Sequence, residues 1–202
     1  MKLRYGCLTI ALAALCGCGG AAHQEALGRC KFLSDGQSNY SAANATEKDL
    51  GTATTAWASA VITSGAGKGD QLEQNAKVAG DLANSADQVS TQLGQLRKAI
   101  YDLPLREEFT QGVRSTLITQ ITRRQRTLQE MRTALTESAA QFRELHQTRA
   151  YKGDSYPTAV DKLNQMLQTH KAPEDAVGGA LASLKDKYGI KDADFATHAA
   201  AR

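Results

Sequence analysis

The sequence lacks any apolar run long enough to cross a membrane as a helix. Its most apolar stretch, Cys7 to Leu15, covers about nine residues, whereas a spanning helix takes roughly 20. Aromatic residues are also scarce, at 5% of the 202 residues, and only 3 are prolines. Because alanine is plentiful instead, the composition favours slim helices that pack through small side chains.

The sequence has little excess charge of either sign. It holds 24 basic and 21 acidic residues, for a net charge of +3. Removal of Lys2 and Arg4 with a signal peptide would leave 22 basic residues against the same 21 acidic ones. The charge balance therefore gives no reason to expect nucleic acid as a partner, and we expect none.

The first residues have the layout of a secretory signal peptide. Lys2 and Arg4 precede the apolar run, and small residues follow it from Gly17 to Ala22. Leu15-Cys16-Gly17-Cys18 then resembles the lipobox of bacterial lipoproteins: a leucine, a variable residue, a small residue and the cysteine. This resemblance predicts a signal peptide over residues 1–17.

The lipoprotein resemblance implies a diacylglycerol on the Cys18 sulfur, cleavage before that residue and acylation of the new amino terminus. Because Gly19 is not the aspartate that favours inner-membrane retention, it implies a cell-envelope protein anchored to the outer membrane and facing the periplasm. Cys16 fits less well, since Leu15 stands where a small residue is required. The alternative is an ordinary signal peptide cut near Gly19 or Ala22.

Cysteine usage leaves one thiol in the processed chain. Cys7 and Cys16 leave with the signal peptide and Cys18 becomes a thioether, so Cys30 is the remaining free thiol. A buried, unpaired thiol is the simpler interpretation. A disulfide between two chains is the alternative in an oxidising compartment.

Residues 18–36 are small and polar, and this composition predicts a lipidated N-terminus followed by a flexible tether. Apolar residues three and four apart then predict a first helix over 39–63, ended by the glycine-rich segment 64–69. A second helix follows Asp70 and a third runs from 106 to 151, with Pro104 between them. The seam of the second helix is Leu72, Ala76, Ala79, Leu82, Ala86, Val89, Leu93, Leu96 and Ile100.

These patterns predict an all-α fold. The second and third helices form a long antiparallel hairpin, within a three- or four-helix bundle over residues 37–151. Start signals at Pro157 and Pro173 predict short helices that form a small C-terminal cap over 152–202.

Residue patterns typical of catalysis or metal binding are missing. The four histidines have no second ligand at zinc spacing, and no serine lies in a nucleophile elbow. Gly65, Gly67 and Gly69 lack the strand and spacing of a phosphate loop, so a turn is favoured. We therefore expect no catalytic residue, no metal site and no cofactor.

Arg124 lies on the apolar seam of the third helix, where an unpaired charge would cost several kcal/mol to bury. In a hairpin folded about Pro104, Asp81 and Asp87 lie near the position that faces it. We therefore predict an ion pair of Arg124 with Asp81 or Asp87. A ligand or partner contact is the alternative.

The combined features favour a non-catalytic, membrane-anchored envelope lipoprotein. Long amphipathic helices bind other helices readily, so we expect a scaffold or adaptor for a protein partner, or self-association through helices. The alternative is a periplasmic module that binds a lipid, peptide or small molecule between the helices. Convergence of Trp57, Tyr101, Phe109 and Tyr188 on one cavity would favour that alternative.

Overall fold

The computed structural model describes residues 6–65, 67–148, 157–169 and 173–194, with side chains from residue 20 onward. The regular structure in these ranges is helical, which confirms the all-α prediction. The elements are α1 (Gly6–Ser64), α2 (Asp70–Tyr101), α3 (Glu108–Thr148), α4 (Thr158–Thr169) and α5 (Ala176–Tyr188). Within the part described, no helix combines the length and apolar character needed to cross a membrane.

Helix α1 is longer at its start than the sequence analysis predicts. The described part of the predicted tether, residues 20–36, is helical, and Cys30 and Leu33 are buried. The tether prediction is therefore wrong, because polar residues obscured a regular spacing of three and four positions. The buried stripe of α1 includes Ala26, Cys30, Leu33, Tyr40, Ala43, Glu47, Leu50, Thr54, Ala58 and Val61.

The turn between α1 and α2 depends on glycine. Gly65, Gly67 and Gly69 have φ angles of 76°, 81° and 53°, a left-handed region in which a side chain is strained. The Gln71 side chain accepts a hydrogen bond from the backbone N–H of Lys68 at 3.2 Å. The predicted turn is thus confirmed, and it sets α2 antiparallel to α1.

Helices α2 and α3 form the predicted antiparallel hairpin. Arg97 Nη1 lies 3.4 Å from Thr122 Oγ1, and Arg132 Nη1 lies 3.1 Å from Asp87 Oδ1. The hairpin is not folded symmetrically about Pro104, because residues 102–107 are not helical. The contacts between the two helices show that the start of α3 is displaced relative to the end of α2.

The chain divides into two compact units. Unit 1 comprises Met1–Asn39, Ile100–Ile118 and Asp175–Arg202, and unit 2 comprises Tyr40–Ala99 and Thr119–Glu174. Helices α1, α2 and α3 each contribute residues to both units. The division therefore does not follow the predicted boundaries at 37, 151 and 152.

The short C-terminal helices do not form one cap, because they pack in different units. Helix α4 buries Ala159, Val160 and Leu163 in unit 2. Helix α5 buries Val177 and other apolar residues in unit 1. Each of these two helices buries one apolar face. Residues 192–194 form a further helical turn.

Candidate functional site

Arg124 pairs with Glu47 of α1, not with the predicted aspartates. Its Nε donates to Glu47 Oε2 at 3.0 Å, and its Nη2 also contacts that oxygen. The Glu47 side chain is only 2% exposed and that of Arg124 is 12% exposed. The expectation that this seam arginine has a carboxylate partner is confirmed, but the identity of that partner was wrong.

Tyr40 completes the polar cluster in the interior of unit 2. Its hydroxyl accepts a 2.7 Å hydrogen bond from Arg124 Nη1 and donates to the Glu174 carbonyl oxygen at 3.3 Å. The Arg124 guanidinium also lies 5.2 Å from the centroid of the Tyr40 ring. Since these contacts compensate the buried charge within the protein, they indicate a structural role for Arg124.

The two aspartates lie elsewhere on α2. Asp87 pairs with Arg132, which lies further along α3 than Arg124, and both side chains are about half exposed. Asp81 is exposed. The displaced register of the hairpin is the physical reason why Arg124 does not meet these aspartates. Symmetry about Pro104 would place Asp87 opposite a residue near Arg124, whereas the observed register places it opposite Arg132.

Cys30 is a free, buried cysteine in unit 1. Burial raises the pKa of its thiol to about 11, and the nearby Lys185 offsets this only in part. A thiol with this pKa is almost wholly protonated at neutral pH, and the thiolate is the reactive form. The geometry therefore matches the simpler of the two interpretations, an unpaired thiol inside the protein.

The histidines do not come together where the structure describes them. Nδ1 of His23 lies 3.1 Å from the Tyr188 carbonyl oxygen in unit 1. His146 lies in unit 2, whereas His170 and His198 fall outside the described residues. Among the residues described, no group of three or more histidine, cysteine, aspartate or glutamate side chains could hold a metal ion.

The four aromatic residues singled out from the sequence do not converge on one cavity. Trp57 packs edge-on against Phe142 in unit 2, with 6.0 Å between ring centroids, and donates to Asn75 Oδ1 at 3.2 Å. Phe109 packs edge-on against Tyr188 in unit 1, also at 6.0 Å.

Unit 1 instead exposes two of these aromatic residues. Tyr101 is 66% exposed and Phe109 is 38% exposed. Each ring has a cation above it: the Arg114 guanidinium lies 5.8 Å from the Tyr101 centroid, and Lys187 Nζ lies 5.7 Å from that of Phe109. An exposed aromatic ring beside a cation is a combination that protein interfaces use often.

A groove of about 960 Å³ lies between α2 and α3 in unit 2. Asp70, Glu73 and Asp81 contribute acidic groups to it, while Lys77 and Arg143 contribute basic ones. No phenylalanine, tyrosine or tryptophan side chain lines it. The mixture of charges makes it suited to polar groups, and it lacks the predominantly apolar lining typical of lipid or drug-sized ligands.

The carboxylate of Glu25 caps the start of α3 in unit 1. Its oxygens accept hydrogen bonds from the backbone N–H groups of Arg106 and Glu107 at 3.0 to 3.2 Å, and from Thr110 Oγ1 at 2.7 Å. Burial alone would raise the pKa of Glu25, but the bonds from Thr110, Glu107 and Arg106 lower it below its usual value. This contact joins α1 to α3.

Arg29 lies one helical turn beyond Glu25 and is buried, with 6% of its surface exposed. Its three guanidinium nitrogens are inaccessible and have no hydrogen-bond partner. Burial lowers the pKa of Arg29, and repulsion from Arg114 lowers it further, although Glu25 acts in the opposite direction. Arg29 was not predicted as a site residue, because residues 18–36 were interpreted as a flexible tether.

The Cys18 side chain lies outside the described residues, as does that of Cys16. The predicted lipid attachment site thus stays a prediction from the sequence. The described fold defines this chain as an all-α helical protein. Comparisons with protein-family models, curated proteins and solved structures find no match for it.

Proposed function

We propose that this chain is a non-catalytic envelope lipoprotein that acts as a helical scaffold or adaptor for a protein partner. In this proposal a lipid on Cys18 anchors the chain to the outer membrane, with the helical domain on the periplasmic side. The signal-peptide layout and the lipobox-like Leu15-Cys16-Gly17-Cys18 support the anchor.

The exposed aromatic residues of unit 1 are the observation that carries the adaptor role. Tyr101 and Phe109 are the exposed large hydrophobic side chains among the residues described, and most other large apolar side chains are packed in the interior. Aromatic rings supply contact area with little loss of side-chain entropy, and the cations above them add polar specificity. We expect a partner to contact these two side chains.

The anchor is tested by intact mass and membrane fractionation in the host, with wild type beside Cys18→Ala. We expect a diacyl or triacyl mass on a chain that starts at Cys18, and a variant that is unprocessed or released from the membrane. An unmodified wild-type chain cut at Gly19 or later would contradict the anchor and support an ordinary signal peptide.

The adaptor role is tested by photo-crosslinking in the host, with a benzophenone amino acid placed at position 101 or 109. A matched control carries the same group at Thr133, an exposed position of unit 2. We expect one discrete adduct from positions 101 and 109 and none from 133. An adduct with a second copy would assign self-association, and equal labelling at all three positions would contradict a dedicated surface.

The groove of unit 2 supports a second candidate, a module that binds a small polar ligand. Native mass spectrometry of the protein purified from its host tests this candidate, because a tightly held ligand survives as a defined mass increment. A single increment that disappears in Arg143→Gln but persists in the exposed control Arg126→Gln would favour ligand binding. The bare protein mass alone would count against it.

A further inference from the structure

Arg29 and Arg114 lie at the same level of neighbouring helices in unit 1. Helices α1 and α3 run parallel, because each is antiparallel to α2. Thr110 of α3 bonds Glu25 of α1 at 2.7 Å. Arg29 follows Glu25 by one helical turn and Arg114 follows Thr110 by one turn, so the two arginines are neighbours.

The charge of Arg29 is only partly compensated, because Glu25 attracts it but no group accepts a hydrogen bond from its guanidinium nitrogens. A buried guanidinium carries five N–H donors and is ordinarily paired or hydrogen-bonded, because an unpaired buried charge is costly. Glu25 is the nearest candidate partner at an i,i+4 spacing, yet its oxygens accept hydrogen bonds from two backbone N–H groups just before α3 and from Thr110. Arg114 adds a second positive charge and offers no acceptor.

Arg114 is the neighbour that can change its contacts most readily. Its Nη1 donates to the carbonyl oxygens of Tyr101 and Leu103 at 3.4 and 3.3 Å, which is at the long end for a hydrogen bond. A stronger acceptor between the two guanidinium groups would replace these contacts. A phosphate offers more acceptor oxygens and more negative charge than a carboxylate, so it is better suited to two guanidinium forks at once.

We propose that Arg29 and Arg114 together bind one phosphate group between α1 and α3 in unit 1, with Arg114 turning from the Tyr101 ring toward Arg29. The group is either free inorganic phosphate or the headgroup phosphate of a phospholipid, since both present the same oxygens. The site does not depend on the adaptor role or on the lipid at Cys18.

Thermal unfolding of the full chain in a neutral detergent tests the site with inorganic phosphate as the probe. Sodium chloride at matched ionic strength is the reference. At phosphate ten-fold above its Kd we expect Tm to rise by about 3–6 °C. Arg29→Gln should abolish this rise, whereas Arg126→Gln, which removes an exposed arginine of unit 2, should retain it.

The Tm in the absence of phosphate separates binding from a purely structural role. If Arg29 is an unoccupied anion ligand, Arg29→Gln removes an uncompensated charge, and its Tm without phosphate equals or exceeds that of wild type. A lower Tm together with an undiminished phosphate response would overturn the proposal. Equilibrium dialysis of wild type with radiolabelled phosphate, where we expect one phosphate per chain, needs no variant to fold.

Vesicles distinguish the two sources of phosphate. Wild type and Cys18→Ala are floated with phosphatidylglycerol vesicles, with phosphatidylcholine as reference. If Cys18→Ala floats with either lipid, and the further change Arg29→Gln abolishes that flotation, the bound group is a headgroup phosphate. If the protein binds phosphate in dialysis but does not float, the bound group is free phosphate. The proposal is overturned if the protein does not float with either lipid, does not bind phosphate in dialysis and shows no Tm response to phosphate.

Discussion

Arg124 donates a 3.0 Å hydrogen bond from Nε to Oε2 of Glu47, which places a charged pair inside the helical packing of unit 2. An ion pair in this setting is sensitive to the loss of either member, because the remaining charge stays buried without compensation. The pair links α1 to α3, so it contributes to their relative register.

We expect Glu47→Ala to lower the free energy of unfolding by about 3–5 kcal/mol, because Arg124 is left buried and unpaired. The double change Glu47→Leu with Arg124→Met should recover most of that loss, since no charge remains. Urea denaturation followed by circular dichroism measures both. Glu130→Ala, which breaks the exposed pair with Arg126, serves as control and should cost a few tenths of a kcal/mol. Equal losses at 47 and 130 would contradict burial of the pair.

We expect the capping role of Glu25 to give a defined pH dependence. Glu25→Gln should cost about 1–2 kcal/mol at pH 7, because a neutral amide accepts hydrogen bonds from the backbone N–H groups just before α3 less strongly than a carboxylate does. The folded pKa of Glu25 is lowered, so its contribution is complete above the unfolded pKa near 4.3 and declines as pH falls through the folded value.

Denaturation midpoints of wild type and Glu25→Gln between pH 3 and 8 measure this dependence. The difference between the two should be constant from about pH 5.5 upward and shrink below pH 4. The exposed Glu144→Gln is the matched control and should show little difference at any pH. A difference that grows as the pH falls would contradict the capping role.

We expect Cys30 to resist alkylation in the folded protein, because it is buried and its thiol pKa is raised to about 11. Peptide mass spectrometry after iodoacetamide treatment measures its labelling in native and urea-unfolded protein. Labelling should be slow in the first and fast in the second. A disulfide-linked dimer on non-reducing electrophoresis would contradict the buried, unpaired thiol.

We expect Gly28→Ala to stabilise the protein by about 0.5–1 kcal/mol, because alanine favours a helix over glycine and a Cβ at this position meets nothing within 4 Å. Gly69→Ala is the contrasting variant, since Gly69 has a φ of +53° that strains a side chain. Thermal unfolding should give a higher Tm for the first and a lower Tm for the second. No change at Gly28 would indicate that residues 20–36 are a coil after all.

The prediction from sequence succeeded where the signal was local. The seam of α2, the turn at Gly65 to Gly69 and the existence of the α2–α3 hairpin all follow from periodicity, glycine placement and a nearby proline, which depend on residues close in the chain. The first half of α1 was missed because its buried stripe contains polar residues. Of the buried polar residues of α1, Glu47 has its partner on α3, whereas the guanidinium of Arg29 and the hydroxyl of Thr54 have no hydrogen-bond partner.

The sequence by itself determined the all-α class, most of the apolar seam of α2 and the need for Arg124 to have a partner or access to water. Only the tertiary structure decided that the carboxylate belongs to Glu47, that Glu25 caps α3 and that Arg29 is left buried without a partner. The physical reason is that helix formation is governed by neighbours along the chain, whereas the pairing of side chains on different helices depends on register. The register of the α2–α3 hairpin is displaced from symmetry about Pro104, and no periodic pattern in the sequence encodes that displacement.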